Sequence, residues 1–146
     1  TVYATGDRLG VARAAGAVVG VNICADNFPD SLELGGSLAR MGAEVLLSPC
    51  AWAVDADHDN AADPYGSLWR GSYGALAARY GLAVAGVSNV GRITGGPWAG
   101  RKCIGCSLAM GASGAVLAEG PYGDQAEAVI PVEVPLSTAR RTTGTY

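Results

Sequence analysis

The sequence predicts an α/β fold built on a parallel βαβ unit, and three observations carry that prediction. Residues 18–24 (VVGVNIC) form an apolar run that ends at a cysteine and a turn. A segment with helical spacing follows, and a second apolar run, 43–47 (AEVLL), is closed by Pro49. A third run, 82–87 (LAVAGV), comes after another helical segment. Strand, helix and strand joined by short links make neighbouring parallel strands with a crossover between them.

The elements follow in order. Residues 1–5 (TVYAT) alternate and read as a short strand, with Gly6 and Asp7 as a turn signal. Residues 8–17, rich in alanine and glycine, fit a strand, a loop or a short helix. Residues 18–24 are a strand, apolar on both faces at its start as in a covered parallel sheet. The two-residue period puts Gly20, Asn22 and Cys24 on one face. Asp30 is placed to cap the next helix, with Glu33 three residues on as in a capping box. Leu34, Leu38 and Met41 recur at helical spacing and predict its buried face, and Gly42 suits its end. Residues 53–64 are an acidic loop with Asp55, Asp57, Asp59, Asp63 and His58. Residues 67–80 read as a second helix with Leu68, Leu76 and Tyr80 inward, stopped by Gly81. Short strands are expected at 106–110, 115–118 and 128–134. Residues 1–136 thus form one domain, and 137–146, with Arg140 and Arg141, a polar tail.

Bulk properties narrow the function. The chain has 146 residues, 49% of them apolar, enough for one domain with a real core. A net charge of −3 with no basic patch argues against nucleic acid as a partner. No apolar run approaches the roughly 18 residues of a membrane span. The first residue is Thr1 and no signal-peptide pattern is present, so the chain reads as a processed product or a piece of something longer. Four widely spaced cysteines do not resemble a disulfide scaffold and suit reduced thiols in a cytoplasmic protein.

Cys24 has the best context for chemistry among the four. A sharp strand-to-helix turn holds a side chain rigidly at the carboxyl edge of a sheet, where α/β folds bind ligands. The competing reading is a buried structural thiol. Cys103 and Cys106 form a single C-x-x-C, which reads better as ordinary strand residues than as a zinc or redox site, since residues three apart on a strand face opposite ways. His58 and its neighbouring aspartates read as a solvated loop rather than a metal site. Gly95, Gly96 and Pro97 read as a turn, because no helix start follows them to hold a phosphate.

The segment GVNICADNFPD (20–30) resembles the nucleophile segment of the nitrilase, or carbon–nitrogen hydrolase, superfamily: Ile-Cys, an aromatic, an acid, then Phe-Pro and an acid. Further likenesses keep the family's order. GAEVLLSP (42–49) with Ala51 and Trp52 resembles the strand after the nucleophile helix. SNVG (88–91) resembles its Asn-x-x-Gly segment. GCS (105–107) and SGAVLA (113–118) resemble its Gly-x-Ser strand and the hairpin after it. The resemblance runs from about residue 1 to about 134.

The resemblance implies an α-β-β-α sandwich, with this chain supplying roughly the C-terminal half. It implies hydrolysis of an amide, carbamoyl or nitrile small molecule, or acyl transfer, by a Glu, Lys and Cys set with no metal or cofactor. Cys24 takes the place of the nucleophile and the Ala25 N–H that of an oxyanion donor. Trp52 and Asn89 fall at substrate-pocket positions, with a core or interface role for Trp52 equally open. Asp26, Phe28 and Pro29 hold the turn. The family's Glu and Lys lie upstream of its Cys, beyond Thr1. Lys102, the only lysine, and Glu33, Glu44, Glu119, Glu127 and Glu133 match neither. Residues 76–81 (LAARYG) lack the further Glu that many members carry, and Ala25 replaces the aromatic. Without those partners the thiol is expected to keep an ordinary pKa of about 8.5 and the chain to be inactive alone. The alternative is a non-catalytic, partner-binding subunit. Either way, the resemblance implies a homo-oligomer or pairing with a missing N-terminal half, across a sheet face left apolar and poorly covered.

Overall fold

A tight hairpin opens the fold, in the stretch where composition left strand, loop and helix open. The computed structural model describes Ala4 and residues 6–136. Strand β1 (Val11–Ala14) pairs antiparallel with β2 (Ala17–Val21), Ala14 lying opposite Ala17. Ala15 and Gly16 form the turn, both at positive φ (49° and 85°), which matches the right-handed twist of the two strands.

From β2 the chain passes through a 3-10 turn (Cys24–Asn27) into helix α1 (Leu32–Arg40), then strand β3 (Val45–Cys50) and the two-residue strand β4 (Ala53–Val54). Helix α2 (Gly66–Tyr80) leads to β5 (Ala83–Ser88). Strands β2, β3 and β5 are parallel neighbours, with Val21 opposite Leu47 and Leu47 opposite Ala85. The expected βαβ unit is therefore present and extended by one more repeat. Strands β6 (Val90–Arg92), β7 (Lys102–Ile104), β8 (Leu108–Met110) and β9 (Val116–Glu119) follow. The larger sheet has the order β1-β2-β3-β5-β8-β9, and a smaller one the order β4-β7-β6. No helix among the described residues is long and apolar enough to cross a membrane.

One face of the large sheet carries Leu46, Val84, Leu108 and Met110 into a core with Leu38 and Ala39 of α1 and Trp69, Tyr73, Leu76 and Ala77 of α2. Two glycines set the close approach. A Cβ on Gly35 would collide with Leu76, and one on Gly86 with the Tyr73 ring. The opposite face is apolar and open: Val21, Leu47 and Val87 are 54%, 43% and 63% exposed. Alternation along the strands forces this, since Gly20, Leu46 and Gly86 point to the helices.

Several expectations are corrected. The strand expected over 18–24 ends at Val21. Pro49 lies inside β3 rather than closing it. The Leu47 carbonyl accepts from the Asn22 N–H (3.3 Å) on the β2 side, and Pro49, two residues on, faces that same edge where β2 has ended. Its lack of a donor therefore breaks no ladder bond. The N-cap of α1 is Ser31, with no side-chain cap bond, because a turn closed by Ser31 N–H to the Phe28 carbonyl (2.8 Å) delays the helix. Asp30 instead accepts from the Ser31 hydroxyl (3.1 Å). Leu34, Met41 and Leu68 are exposed. The buried stripe of α1 is Gly35, Gly36, Leu38 and Ala39, small enough for Leu76 and Tyr80 to pack against. Residues 128–134 form no strand. Gly42 and Gly81 do end their helices at positive φ, Gly81 donating to the Ala77 carbonyl (2.7 Å). The strand expected at 1–5, apart from Ala4, and the tail at 137–146 lie outside the described residues.

Candidate active site

Beyond Val21 the backbone stays beside β3 for one more residue and then turns sharply. Asp26 closes the turn twice, its N–H donating to the Ile23 carbonyl (2.8 Å) and its carboxylate accepting from the Ile23 N–H (2.8 Å). Asn22 and Asn27, both buried, bond each other through their side-chain amides (2.6 and 3.2 Å). Asn27 also donates to the Ser48 hydroxyl on β3 (2.9 Å), which in turn accepts from the Cys24 N–H (3.2 Å). This network holds Cys24 at φ +41°, a left-handed conformation that costs a residue with a Cβ about 1–3 kcal/mol. Cys24 therefore stands at the tip of a strained turn between a strand and a helix, not on the strand face shared with Gly20 and Asn22.

The surroundings of the thiol change its acidity. The half-buried Cys24 sulfur accepts hydrogen bonds from the Cys50 thiol and from the Ala51 and Ala25 N–H groups. The Cys50 bond acts most strongly, and together these donors pull the Cys24 pKa down to about 6 against opposing burial and the Asp26 charge. The expectation of an ordinary thiol is thus corrected: a neighbouring thiol and two amides favour the thiolate without an upstream lysine. Cys50 moves the opposite way, because its proton is held toward Cys24 and because it is buried. Its proton is shared among Cys24, the Ser48 carbonyl (3.2 Å) and the Ser48 and Tyr73 hydroxyls (3.5 and 3.6 Å). The bond to an ionised acceptor is the strongest of these. Cys103 and Cys106 are raised by burial, so Cys24 alone of the four is lowered.

Behind this pair lies an aromatic stack. Trp52 stacks on Trp69 (centroids 4.8 Å apart), and Trp69 stacks on Phe28 (5.4 Å), with Tyr65 and Tyr73 tilted against Trp52. Trp52 is 1% exposed, so within this chain it forms part of the core next to Cys50 and Ala51 rather than an open wall. Tyr65, Trp69 and Tyr73 recur every four residues, a helical stripe visible in the sequence but passed over for Leu68, Leu76 and Tyr80. The Asn89 backbone is tied to the end of β3 through its N–H to the Cys50 carbonyl (3.2 Å). Asn89 itself lines a separate cavity of about 580 Å³ with Ser88, Gly105, Cys106, Ser107 and Pro121. Pro29 is exposed beside Phe28.

The other candidate clusters hold structure. Asp59 accepts from the Ala61 and Ala62 N–H groups (2.9 and 3.3 Å), and Asp55 pairs with Arg101 (3.1 Å). Cys103 lies on β7, and Cys106 follows a turn at Gly105. Among the described residues no group of three or more His, Cys, Asp or Glu side chains is placed to hold a metal ion.

No family sequence model and no curated protein sequence matches the chain. Solved structures do. The chain is similar to a carbon–nitrogen hydrolase from Helicobacter pylori G27 (23% identity, TM-score 0.66), the match covering 82% of this chain and 42% of that one. It is similar to a glutamate-to-glutamine mutant of an amidase from Nesterenkonia sp. AN1 (24% identity, TM-score 0.60), covering 83% of this chain and 42% of that one; that mutant shows the Michael addition of acrylamide at its active-site cysteine. A glutamine-dependent NAD+ synthetase from Acinetobacter baumannii matches at 18% identity and TM-score 0.66, over 82% of this chain and 20% of that one. The fold is that of nitrilase-type proteins, and the chain spans well under half the length of each of these three.

Proposed function

We propose, with the nitrilase-type fold as premise, that this chain carries the nucleophile of a carbon–nitrogen hydrolase acting on an amide, carbamoyl or nitrile small molecule. The observation that carries the reading is Cys24, held at φ +41° with its sulfur facing three hydrogen-bond donors. With an amide or carbamoyl substrate the thiolate attacks the carbonyl carbon, forming a C–S bond while the carbonyl π electrons move to oxygen; with a nitrile they move to nitrogen and give a thioimidate that water then attacks. The Ala25 N–H, which bonds the sulfur in the resting state, is the donor for that oxyanion. The C–N bond then breaks as the amine takes up a proton, leaving a thioester that water hydrolyses. Asp26, Phe28 and Pro29 hold the turn. Trp52 backs the site from the core, while Asn89 is tied by its backbone to Cys50 at the end of β3.

The proton-transferring Glu and charge-supporting Lys have no match among the 146 residues, so turnover requires groups from outside them. The open face of Val21, Leu47 and Val87 is where further nitrilase-type chain, or a second subunit, packs. Mapping of haloacetamide labelling by mass spectrometry tests the nucleophile directly. Cys24 is expected to be modified well ahead of Cys50, Cys103 and Cys106. Preferential labelling of Cys103 or Cys106 would contradict the assignment.

A further inference from the structure

Cys50 bonds no substrate atom in the proposed hydrolysis, yet its place at the end of β3 brings it to the nucleophile. Val21 lies opposite Leu47, and the Asn22 N–H still bonds the Leu47 carbonyl. Past that bond the chain turns, with Cys24 still tied to β3 through its N–H to the Ser48 hydroxyl. Cys24 and Cys50 already hydrogen-bond through their sulfurs. The Ser48 hydroxyl ties the two positions together, 3.2 Å from the Cys24 nitrogen and 3.5 Å from the Cys50 sulfur. Both thiols are half-buried, open enough for a small oxidant, whereas Cys103 and Cys106 are buried.

We propose that Cys24 and Cys50 form a reversible disulfide in which a hydroperoxide oxidises Cys24 and Cys50 resolves the product. The Cys24 thiolate attacks one oxygen of hydrogen peroxide. An S–O bond forms, the O–O bond breaks, and the departing hydroxide takes a proton to become water. Cys24 is then a sulfenic acid. The Cys50 sulfur attacks the Cys24 sulfur, the S–S bond forms and the S–O bond breaks, and the hydroxide leaves with the Cys50 proton as a second water. The peroxide is reduced and the two thiols are oxidised. The low acidity of Cys50 does not block this step, because its proton leaves together with the hydroxide. The disulfide removes the nucleophile and shields it from irreversible oxidation, and a dithiol reductant restores it. The inference rests on Cys24 being a reactive thiol and not on hydrolysis.

The 146-residue chain is treated with hydrogen peroxide, alkylated with iodoacetamide, digested without reductant and mapped by mass spectrometry. The expected product is a peptide pair linked through Cys24 and Cys50, with loss of alkylation at both, restored by dithiothreitol, and with Cys103 and Cys106 still alkylated. In Cys50→Ser and Cys50→Ala, Cys24 is expected to accumulate as a sulfenic acid that dimedone traps. Recovery of sulfinic or sulfonic Cys24 beside freely alkylated Cys50 in the unsubstituted chain overturns the proposal. So does full alkylation of Cys24 after peroxide, which leaves the nucleophile assignment standing. A Cys24 that iodoacetamide never labels, even without peroxide, overturns both.

Discussion

Cys50→Ala removes the strongest of the hydrogen bonds that stabilise the Cys24 thiolate. A hydrogen bond to a charged group contributes about 1.5–3 kcal/mol, which corresponds to about one to two pH units. With the unsubstituted thiol at about 6, the variant's midpoint is expected above neutrality. The sign follows from the reacting species. Thiolate alkylates, so labelling rises with pH through the midpoint, and a higher midpoint slows the reaction in acid. A less acidic thiol is also intrinsically more nucleophilic, with a Brønsted slope of about 0.4–0.5. Near pH 6 the loss of thiolate wins, and the variant is expected to react about three- to fourfold more slowly. Above about pH 8 both thiols are mostly ionised and the variant is expected to be about fivefold faster, so the two curves cross near neutrality. The assay is the second-order rate of iodoacetamide labelling at Cys24, followed by peptide mass between pH 5 and 10. Superimposable profiles would refute the reasoning, because they would mean that Cys50 does not stabilise the thiolate.

Other outcomes follow from the same geometry. Asn27→Ala leaves the Asn22 amide and the Ser48 hydroxyl without their buried partner, and a urea titration is expected to show a loss of about 2–3 kcal/mol; an unchanged midpoint would mean that the pair does not hold the turn. Gly86→Ala drives a Cβ into the Tyr73 ring, so near-ultraviolet circular dichroism is expected to report loss of the aromatic packing, and an unaltered spectrum would count against that close approach. The open face of Val21, Leu47 and Val87 is expected to make the chain associate, and Leu47→Lys with Val87→Lys to weaken the association. Light scattering that shows a well-folded monomer for the unsubstituted chain at micromolar concentration would contradict this. The isolated chain is expected to alkylate at Cys24 without turning over an amide, and ammonia release from it alone would show that no outside Glu or Lys is needed.

The parallel core of the fold was legible because β2, β3 and β5 are buried on the helix face and read as apolar runs, and because Gly42 and Gly81 mark their helix ends plainly. The β1 hairpin was not legible, since alanine and glycine serve strand, turn and helix alike and only pairing with β2 decides between them. Strands β6 and β7 are short and contain Gly91, Arg92 and Lys102, so no periodicity announces them. On the helices Leu38 and Leu76 are buried as expected, whereas Leu34, Met41 and Leu68 are exposed. Leucine weighed more than glycine in the hydrophobic pattern, yet packing chose Gly35 and Gly36 so that Leu76 and Tyr80 could come close. At the candidate site, the position of Cys24 at a turn between strand and helix was legible in the sequence. Its acidity was not, because the donors Cys50 and Ala51 lie 26 and 27 positions away and meet it only through the β2–β3 register. The burial of Trp52 was not legible, because it depends on Trp69, which sequence spacing alone does not bring beside it.

The most direct test of the nucleophile assignment uses acrylamide, the reagent added at the active-site cysteine in a mutant of the similar amidase. The 146-residue chain is incubated with acrylamide near neutral pH, and the adduct is mapped by peptide mass spectrometry. A single adduct on Cys24, lost in Cys24→Ser and unaffected in Cys103→Ser, is the expected result. An adduct on Cys103 or Cys106 with Cys24 left free would contradict the assignment.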